Sequence, residues 1–384
     1  MAAVRPEAPV SNSAPLSSPL VHGRQDGVRF AGTPATVHSA LGRIGLAPME
    51  GVVDAETRAL LSADGALDWC VTEFVRVVDA RLPPRVFLRH CPELASTEAG
   101  SAHGPRTPSG VPVTLQLLGS DPVALAANAE QAISMGVRRL DLNFGCPAKT
   151  VNRHDGGASL LRTPERVYRV VSAVAEAGKR HGVSVNAKLR LGFDDKQLAL
   201  ACALAAESGG AEELVVHART RREGYRPPAH WEWIARIRTA VGVPVVANGD
   251  IWTLEDYWKA RSLSGCRDVM LGRGMLADPW LARRIRHWQQ TGERLAPTPW
   301  STRRDVLCRY AEQKHADGMA DKFIVSLLKQ WLNIMRGRDA ESAACFTAVR
   351  RETDLAIFLQ RLDAWATTLP ACNASRAALS WRPA

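Results

Sequence analysis

From residue 42 onward, short runs rich in β-branched residues alternate with segments whose apolar positions recur at helical spacing. Eight such runs predict strands: RIGLAPM (43–49), WCVTEFV (69–75), VPVTLQLLG (111–119), RRLDLNFG (138–145), SVNAKLRLG (184–192), EELVVHART (212–220), VPVVANGD (243–250) and DVMLGRG (268–274). Strands that alternate with helices imply βα units and a parallel sheet, and eight of them imply a closed (β/α)8 TIM barrel of the α/β class. The connections carry helix punctuation. Asp121-Pro122 and Thr163-Pro164 each pair an N-cap residue with a proline at the first helical position, and Gly136, Gly182 and Gly242 stop helices ahead of the next strand. Residues 79–110 are the exception. Pro83, Pro84, Pro92, Pro105 and Pro108 are expected to break any long helix there and leave an extended loop over one barrel mouth.

After Pro279 the strand pattern ceases, and Pro297 and Pro299 mark a boundary. Residues 301–369 read as amphipathic helices; in IVSLLKQWLNIMRGR the positions Ile324, Leu327, Leu328, Trp331 and Met335 fall on one face. The organisation expected is an extension at 1–40, a barrel at 41–290 and a helical bundle at 300–384. The Ala/Pro/Ser-rich extension lacks a charged segment followed by an apolar core, so it reads as a disordered lead-in and not as a secretory signal.

Charge sharpens the picture. The formal net charge is +10. Residues 281–340 hold twelve Lys/Arg and six Asp/Glu, so +6 of that surplus lies in and just before the helical segment. A polyanionic partner fits this distribution. No run approaches the ~18 apolar residues that a membrane span requires. The eight cysteines are scattered, with no C-x-x-C pair and no zinc spacing, so they read as reduced thiols in a cytoplasmic protein without metal.

Barrel active sites lie at the carboxyl ends of the strands, so polar residues there are candidates. Strand seven ends in Asn248-Gly249-Asp250 and strand eight in Gly272-Arg273-Gly274. Glycines at these two ends let backbone N–H groups approach an anion, where barrels usually bind phosphate, and Arg273 adds a charged contact. A mononucleotide cofactor follows. Lys188 and Gln116 are polar positions in otherwise apolar strands, suited to the edge of a heteroaromatic ring. His217 ends the sixth strand near the phosphate corner. Cys146 follows its strand where a structural cysteine would sit within it, and Gly145 and Pro147 are expected to fix a turn that points the thiol to the mouth.

These residues lie in longer motifs. LAPMEGVVD (46–54), TEFVRV (72–77), LNFGCPAKTVNRHDGGASLL (142–161), AKLRLGF (187–193), LVVHART (214–220), VVANGDI (245–251) and MLGRG (270–274) resemble the tRNA-dihydrouridine synthases. Glu50, TEFVRV and KQWL (329–332) resemble the bacterial C-type branch most. The resemblance implies an FMN-loaded barrel, NADPH as reductant, a carboxyl-terminal helical domain that binds tRNA, and reduction of a D-loop uridine at position 16 by a monomeric enzyme. It also implies roles. Pro48, Met49, Glu50, Gln116, Lys188 and His217 would line the flavin, with Asn248, Gly249, Asp250, Gly272 and Arg273 on its phosphate side. Cys146 matches the catalytic cysteine, and Asn143 and Arg190 match substrate contacts. Arg76, Lys329 and Arg336, the last two placed seven residues apart on one helical face, are expected to grip the tRNA backbone. The chain departs from the family at Phe144, where relatives often carry a second cysteine, at the loop 153–155, and at Asp250, where Glu is usual. The alternative reading is a flavin barrel that acts on a small molecule, for which the basic helices would have no use.

Overall fold

A computed structural model describes residues 41–96, 103–153 and 155–368. The extension at 1–40 and residues 369–384 lie outside the described residues. Nine parallel strands form the sheet: β1 (Ile44–Leu46), β2 (Trp69–Val71), β3 (Val75–Arg76), β4 (Val113–Leu118), β5 (Arg139–Phe144), β6 (Ser184–Arg190), β7 (Glu213–His217), β8 (Val245–Asn248) and β9 (Val269–Leu271). Both β2 and β3 pair with β4, so they are two pieces of one barrel strand. The single strand expected over 69–75 is thus interrupted at Thr72–Phe74, where Thr72 still bonds to Thr114 and accepts from the Gln116 N–H. β1 pairs with β2 on one side and β9 on the other, which closes an eight-stranded TIM barrel.

Alternation along the strands separates two kinds of surface. Leu115, Leu117, Leu140, Leu142, Ala187, Leu189, Leu214 and Val216 belong to the main core beneath the helices. The intervening positions point into the barrel. There Ala47, Trp69, Val71, Val215, Val246 and Met270 form a separate apolar cluster. Thr114, Gln116, Asp141, Asn143, Asn186, Lys188, Arg190, Glu213, His217 and Asn248 occupy other inward positions, and each ladder keeps them in register, Gln116 beside Asp141 and Arg190 beside His217. A barrel filled only for stability would hold branched aliphatics in these layers. This one keeps much of its inner wall polar.

The amino end of the barrel is closed by ion pairs. Arg43 bridges Glu213 and Asp268, and Arg286 pairs with Asp68 while donating to the carbonyls of Gly42 (2.6 Å) and Ala66 (3.2 Å).

Helix α1 (Ala55–Ser62) follows β1, and Asp54 caps it by accepting from the Thr57 N–H at 2.9 Å. The proline-rich segment forms helix α2 (Pro84–His90) and a 3-10 turn at Pro92–Ser96, where an extended loop was expected. Pro84 occupies the first turn, where a missing N–H costs nothing, so it starts the helix instead of breaking it. Residues 97–102 of that loop lie outside the described residues. Helix α3 (Pro122–Ser134) is capped by Asp121 as its sequence predicts. Thr163 precedes helix α4 (Pro164–Lys179) but its side chain makes no capping bond; the proline alone sets that start.

Four helices, α5 (Trp300–Ala316), α6 (Asp321–Met335), α7 (Ala340–Val349) and α8 (Leu355–Thr368), follow the barrel. Two contacts seat them on the carboxyl-end side. The Trp331 indole N–H donates to the Leu276 carbonyl at 2.8 Å, just beyond β9. From α5, the Tyr310 hydroxyl donates to Asp54 at 3.0 Å, and Lys314 pairs with Asp54 (2.8 Å) and Glu56 (2.5 Å) at the start of α1.

Candidate active site

A cavity of about 430 Å³ opens at the carboxyl ends of the strands. The structure brings fourteen of the seventeen expected site residues to its wall: Pro48, Met49, Glu50, Gln116, Asn143, Cys146, Lys188, Arg190, His217, Asn248, Gly249, Asp250, Gly272 and Arg273. Arg76, Lys329 and Arg336 lie outside it. Arg76 ends β3 and its charge reaches Glu50 at the rim, where it opposes the burial that raises the Glu50 carboxyl. Lys329 is half-buried on α6. Arg336 stands one residue past the end of that helix, still in right-handed helical conformation, with its guanidinium over the Phe346 ring at 4.6 Å.

Polar groups from β4, β5, β6 and β8 converge on the floor. Gln116 donates to Asp141 at 2.5 Å, and Asn143 donates to the Gln116 carbonyl oxygen at 2.7 Å. Lys188 donates to the Asn248 side chain at 3.1 Å, and Asn248 is itself fixed by donating to the Met270 carbonyl at 2.8 Å. Burial lowers the Lys188 ammonium, with the Arg190 charge adding to the effect and Asp141 opposing it. Burial raises the Asp141 carboxyl against the stabilising Gln116 bond.

The Cys146 turn is held from three sides. Asn143 accepts from the backbone N–H groups of Gly145 and Cys146, both at 2.9 Å; Arg190 donates to the Gly145 carbonyl at 2.7 Å; Asn152 donates to the carbonyls of Cys146 and Ala148 at 2.9 and 2.7 Å. Gly145 contributes less than its sequence implies. It is not in the left-handed region, and a Cβ there would meet an ordinary contact, 3.5 Å from the Arg190 side chain. The thiol rests among Phe74, Leu118 and Val151 with 9% of the residue exposed, and burial pushes it above the usual thiol range.

At the opposite wall, Gly249 takes φ +111, and a Cβ there would crowd the Ala218 N–H and the His217 ring, each at 3.3 Å. Gly274 has no alternative either, since a Cβ would fall 2.1 Å from the Ile251 carbonyl oxygen. Asp250 adopts the left-handed region at φ +51, which short polar side chains tolerate best. Its carboxylate receives Arg219, Arg273 (3.1 Å) and the Trp252 indole N–H (3.3 Å), and the two arginines hold it below the usual carboxylate range despite burial. Arg273 is therefore placed by Asp250 and by the rings of Tyr225 (4.4 Å) and Trp252 (4.8 Å). His217 is driven well below its ordinary value by burial and by Arg190, Lys188, Arg219 and Arg273, so the ring is neutral at pH 7. Among the described residues, His217 Nδ1 and Arg219 Nη1 are buried without a hydrogen-bond partner.

Arg190, expected to contact substrate, is only 4% exposed and spends its guanidinium on the carbonyls of Gly145, Thr220 (3.1 Å) and Gly224 (2.9 Å). Sequence reasoning missed Asp141, Tyr225 and Trp252, and it missed Ile334, which α6 contributes to the cavity wall. Asp141 shares a strand face with Asn143 in LDLNF, a signal that was present. Tyr225 and Trp252 sit in loops without periodicity. Among the described residues, no group of three or more His, Cys, Asp or Glu side chains is placed to hold a metal ion, and no helix is long and apolar enough to cross a membrane.

Residues 45–366 match the family model described as dihydrouridine synthase (Dus). The chain is 48% identical over 312 residues to a tRNA-dihydrouridine(16) synthase of Pseudomonas syringae pv. tomato, covering 81% of this chain and 95% of that protein. It is 48% identical over 319 residues to the protein of the same description from Ralstonia nicotianae, covering 83% and 94%. With that of Pseudomonas putida it shares 45% over 332 residues, covering 86% and 100%.

Proposed function

From the premise that the chain belongs to the dihydrouridine synthase family, we propose that it reduces uridine to 5,6-dihydrouridine at position 16 in the D-loop of tRNA, with FMN as its cofactor and NADPH as its reductant. The observation that carries this reading is the placement of the buried Cys146 thiol on the wall of the same cavity that gathers Lys188, Gln116 and the glycine corner, with burial favouring its protonated form.

The residues present fit FMN. Among the described residues His217 Nδ1, on the cavity wall, is buried without a partner, and Gly249 and Gly272 line the corner of the same cavity, where glycines would let the backbone approach a phosphate. Arg273, Gly249 and Gly272 would hold the phosphate, while Lys188 and Gln116 would face the ring edge, Pro48, Met49 and Glu50 the rim, and Asn143 the substrate base. When bound, the flavin supplies a hydride to C6 of the uracil ring.

The protein does the rest. The target base must leave its stack, at a cost of about a few kcal/mol. Phosphate contacts from the helical domain, with Lys329 and Arg336, and from Arg76 at the rim would offset that cost. Cys146 Sγ gives its proton to C5, so the role needs a thiol and not a thiolate. Burial secures that state.

The test has two parts. Purified protein should be yellow and be bleached by NADPH, and tRNA from a strain lacking it should lose dihydrouridine at position 16 alone. Colourless protein, or an intact position 16, would refute the reading.

A further inference from the structure

We propose that Asp141 is a positioning residue for Cys146, acting through a chain of amides whose polarity its carboxylate sets. The inference rests on the reading of Cys146 as proton donor. Asp141 lies on β5 and is 1% exposed; it does not itself line the cavity, and it bonds to Gln116 behind the wall and not to the Cys146 turn.

The chain begins with an asymmetry. Burial lifts the Asp141 carboxyl to about 7, so the tests below are set at about pH 8, where the group is mostly ionised and only accepts hydrogen bonds. A carboxamide instead has one accepting and one donating end of nearly the same shape. Asp141 accepts from Gln116 Nε2 at 2.5 Å, which turns the Gln116 oxygen toward Asn143. That oxygen accepts from Asn143 Nδ2 at 2.7 Å, which in turn points the Asn143 oxygen at the Gly145 and Cys146 N–H groups. Reversing Gln116 would set its oxygen against the carboxylate. Reversing Asn143 would set an NH2 group against two N–H donors and free the turn. One charge therefore fixes the orientation of two side chains and of the backbone that carries the thiol.

A rival role exists for the same residue. Asp141 also acts electrostatically on Lys188, although Lys188 bonds to Asn248 and not to it. If that were its whole contribution, its loss would act on the flavin side of the cavity irrespective of Cys146.

Single-turnover dihydrouridine formation by pre-reduced holoenzyme separates the two in a cycle of Asp141→Asn, Cys146→Ala and the double variant. Asp141→Asn is isosteric but presents either end to Gln116, so both polarities become available. It should slow the reaction about tenfold, the worth of roughly one net hydrogen bond. Combined with Cys146→Ala it should cost nothing further. Equal losses in both backgrounds, or a wild-type rate for Asp141→Asn, would overturn the inference. A wild-type rate for Cys146→Ala would instead refute the proton-donor reading, so the two failures are distinct.

A second measurement avoids catalysis. Amide hydrogen exchange at Gly145 and Cys146 should speed up about tenfold in Asp141→Asn. Moving the charge one inward position along β5, as Asp141→Asn with Asn143→Asp, should restore protection, because a carboxylate at 143 accepts from both N–H groups whichever way Gln116 points. Unprotected turn amides in that folded double variant would also overturn the inference.

Discussion

Arg190 Nε donates to the Gly145 carbonyl at 2.7 Å, which ties the strand β6 to the turn that carries Cys146. Two further carbonyls, of Thr220 and Gly224, take the same guanidinium, so one buried side chain ties β6 to the loops after β5 and β7. A lysine cannot reproduce that fork. Arg190→Lys should therefore leave buried carbonyls unsatisfied and lower stability by about 1–3 kcal/mol. Dihydrouridine formation should fall further than flavin reduction by NADPH. Urea unfolding and the two half-reactions measure these separately.

The thiol predicts a pH dependence. Burial raises the Cys146 thiol above its ordinary value. A raised value keeps the proton on sulfur as pH rises past the ordinary thiol range near ~8.5, so donation persists there. The single-turnover rate of the reduced enzyme should thus stay level through that range and decline only above it. A decline centred at or below the ordinary value would show a thiolate-stabilising site instead.

Arg273 is positioned before any ligand arrives, by Asp250 on one side and two aromatic rings on the other. Such preorganisation lowers the ordering cost of binding an anion. Arg273→Ala should be purified with much less FMN, read from the ratio of flavin to protein absorbance. Full occupancy would remove Arg273 from the phosphate site.

Lys314 joins the helices after the barrel to the start of α1, where it neutralises both Asp54 and Glu56. Lys314→Met would leave two partly buried carboxylates facing each other. We expect a loss of about 1–3 kcal/mol, below the range for fully buried pairs because both acids retain solvent contact. Weaker tRNA binding should accompany it, with flavin reduction by NADPH unchanged. Thermal melts and tRNA titrations at one fixed salt concentration test the pair of effects.

Much of this was legible in the sequence, for a physical reason. Strand period and strand-end chemistry are local, so the eight βα units and residues such as Gln116, Lys188, Asn248, Gly249, Gly272 and Arg273 could be read directly, while Pro48, Met49, Glu50, Asn143 and Arg190 came only with the family resemblance; all of these line one cavity. What failed depended on partners distant along the chain. Pro84 starts a helix because its position in the first turn, not its identity, decides the outcome. Gly145 looked like the residue that bends the Cys146 turn, but Asn143, Arg190 and Asn152 hold it through hydrogen bonds that cross strands. Arg190 lines the cavity, but its hold on the surrounding loops was hidden until its three carbonyl partners, two of them beyond β7, were in place. Trp252 and Tyr225 flank Arg273 from loops that carry no period at all.

The central claim is that Cys146 supplies the proton at C5. Its most direct test is dihydrouridine formation in a single turnover with Cys146→Ala enzyme that has been loaded with FMN, pre-reduced and mixed with tRNA. The variant should bind flavin and tRNA and oxidise NADPH as the parent does, yet form dihydrouridine slower by about 10²–10⁴-fold, the usual worth of a positioned proton donor. A wild-type rate would contradict the account.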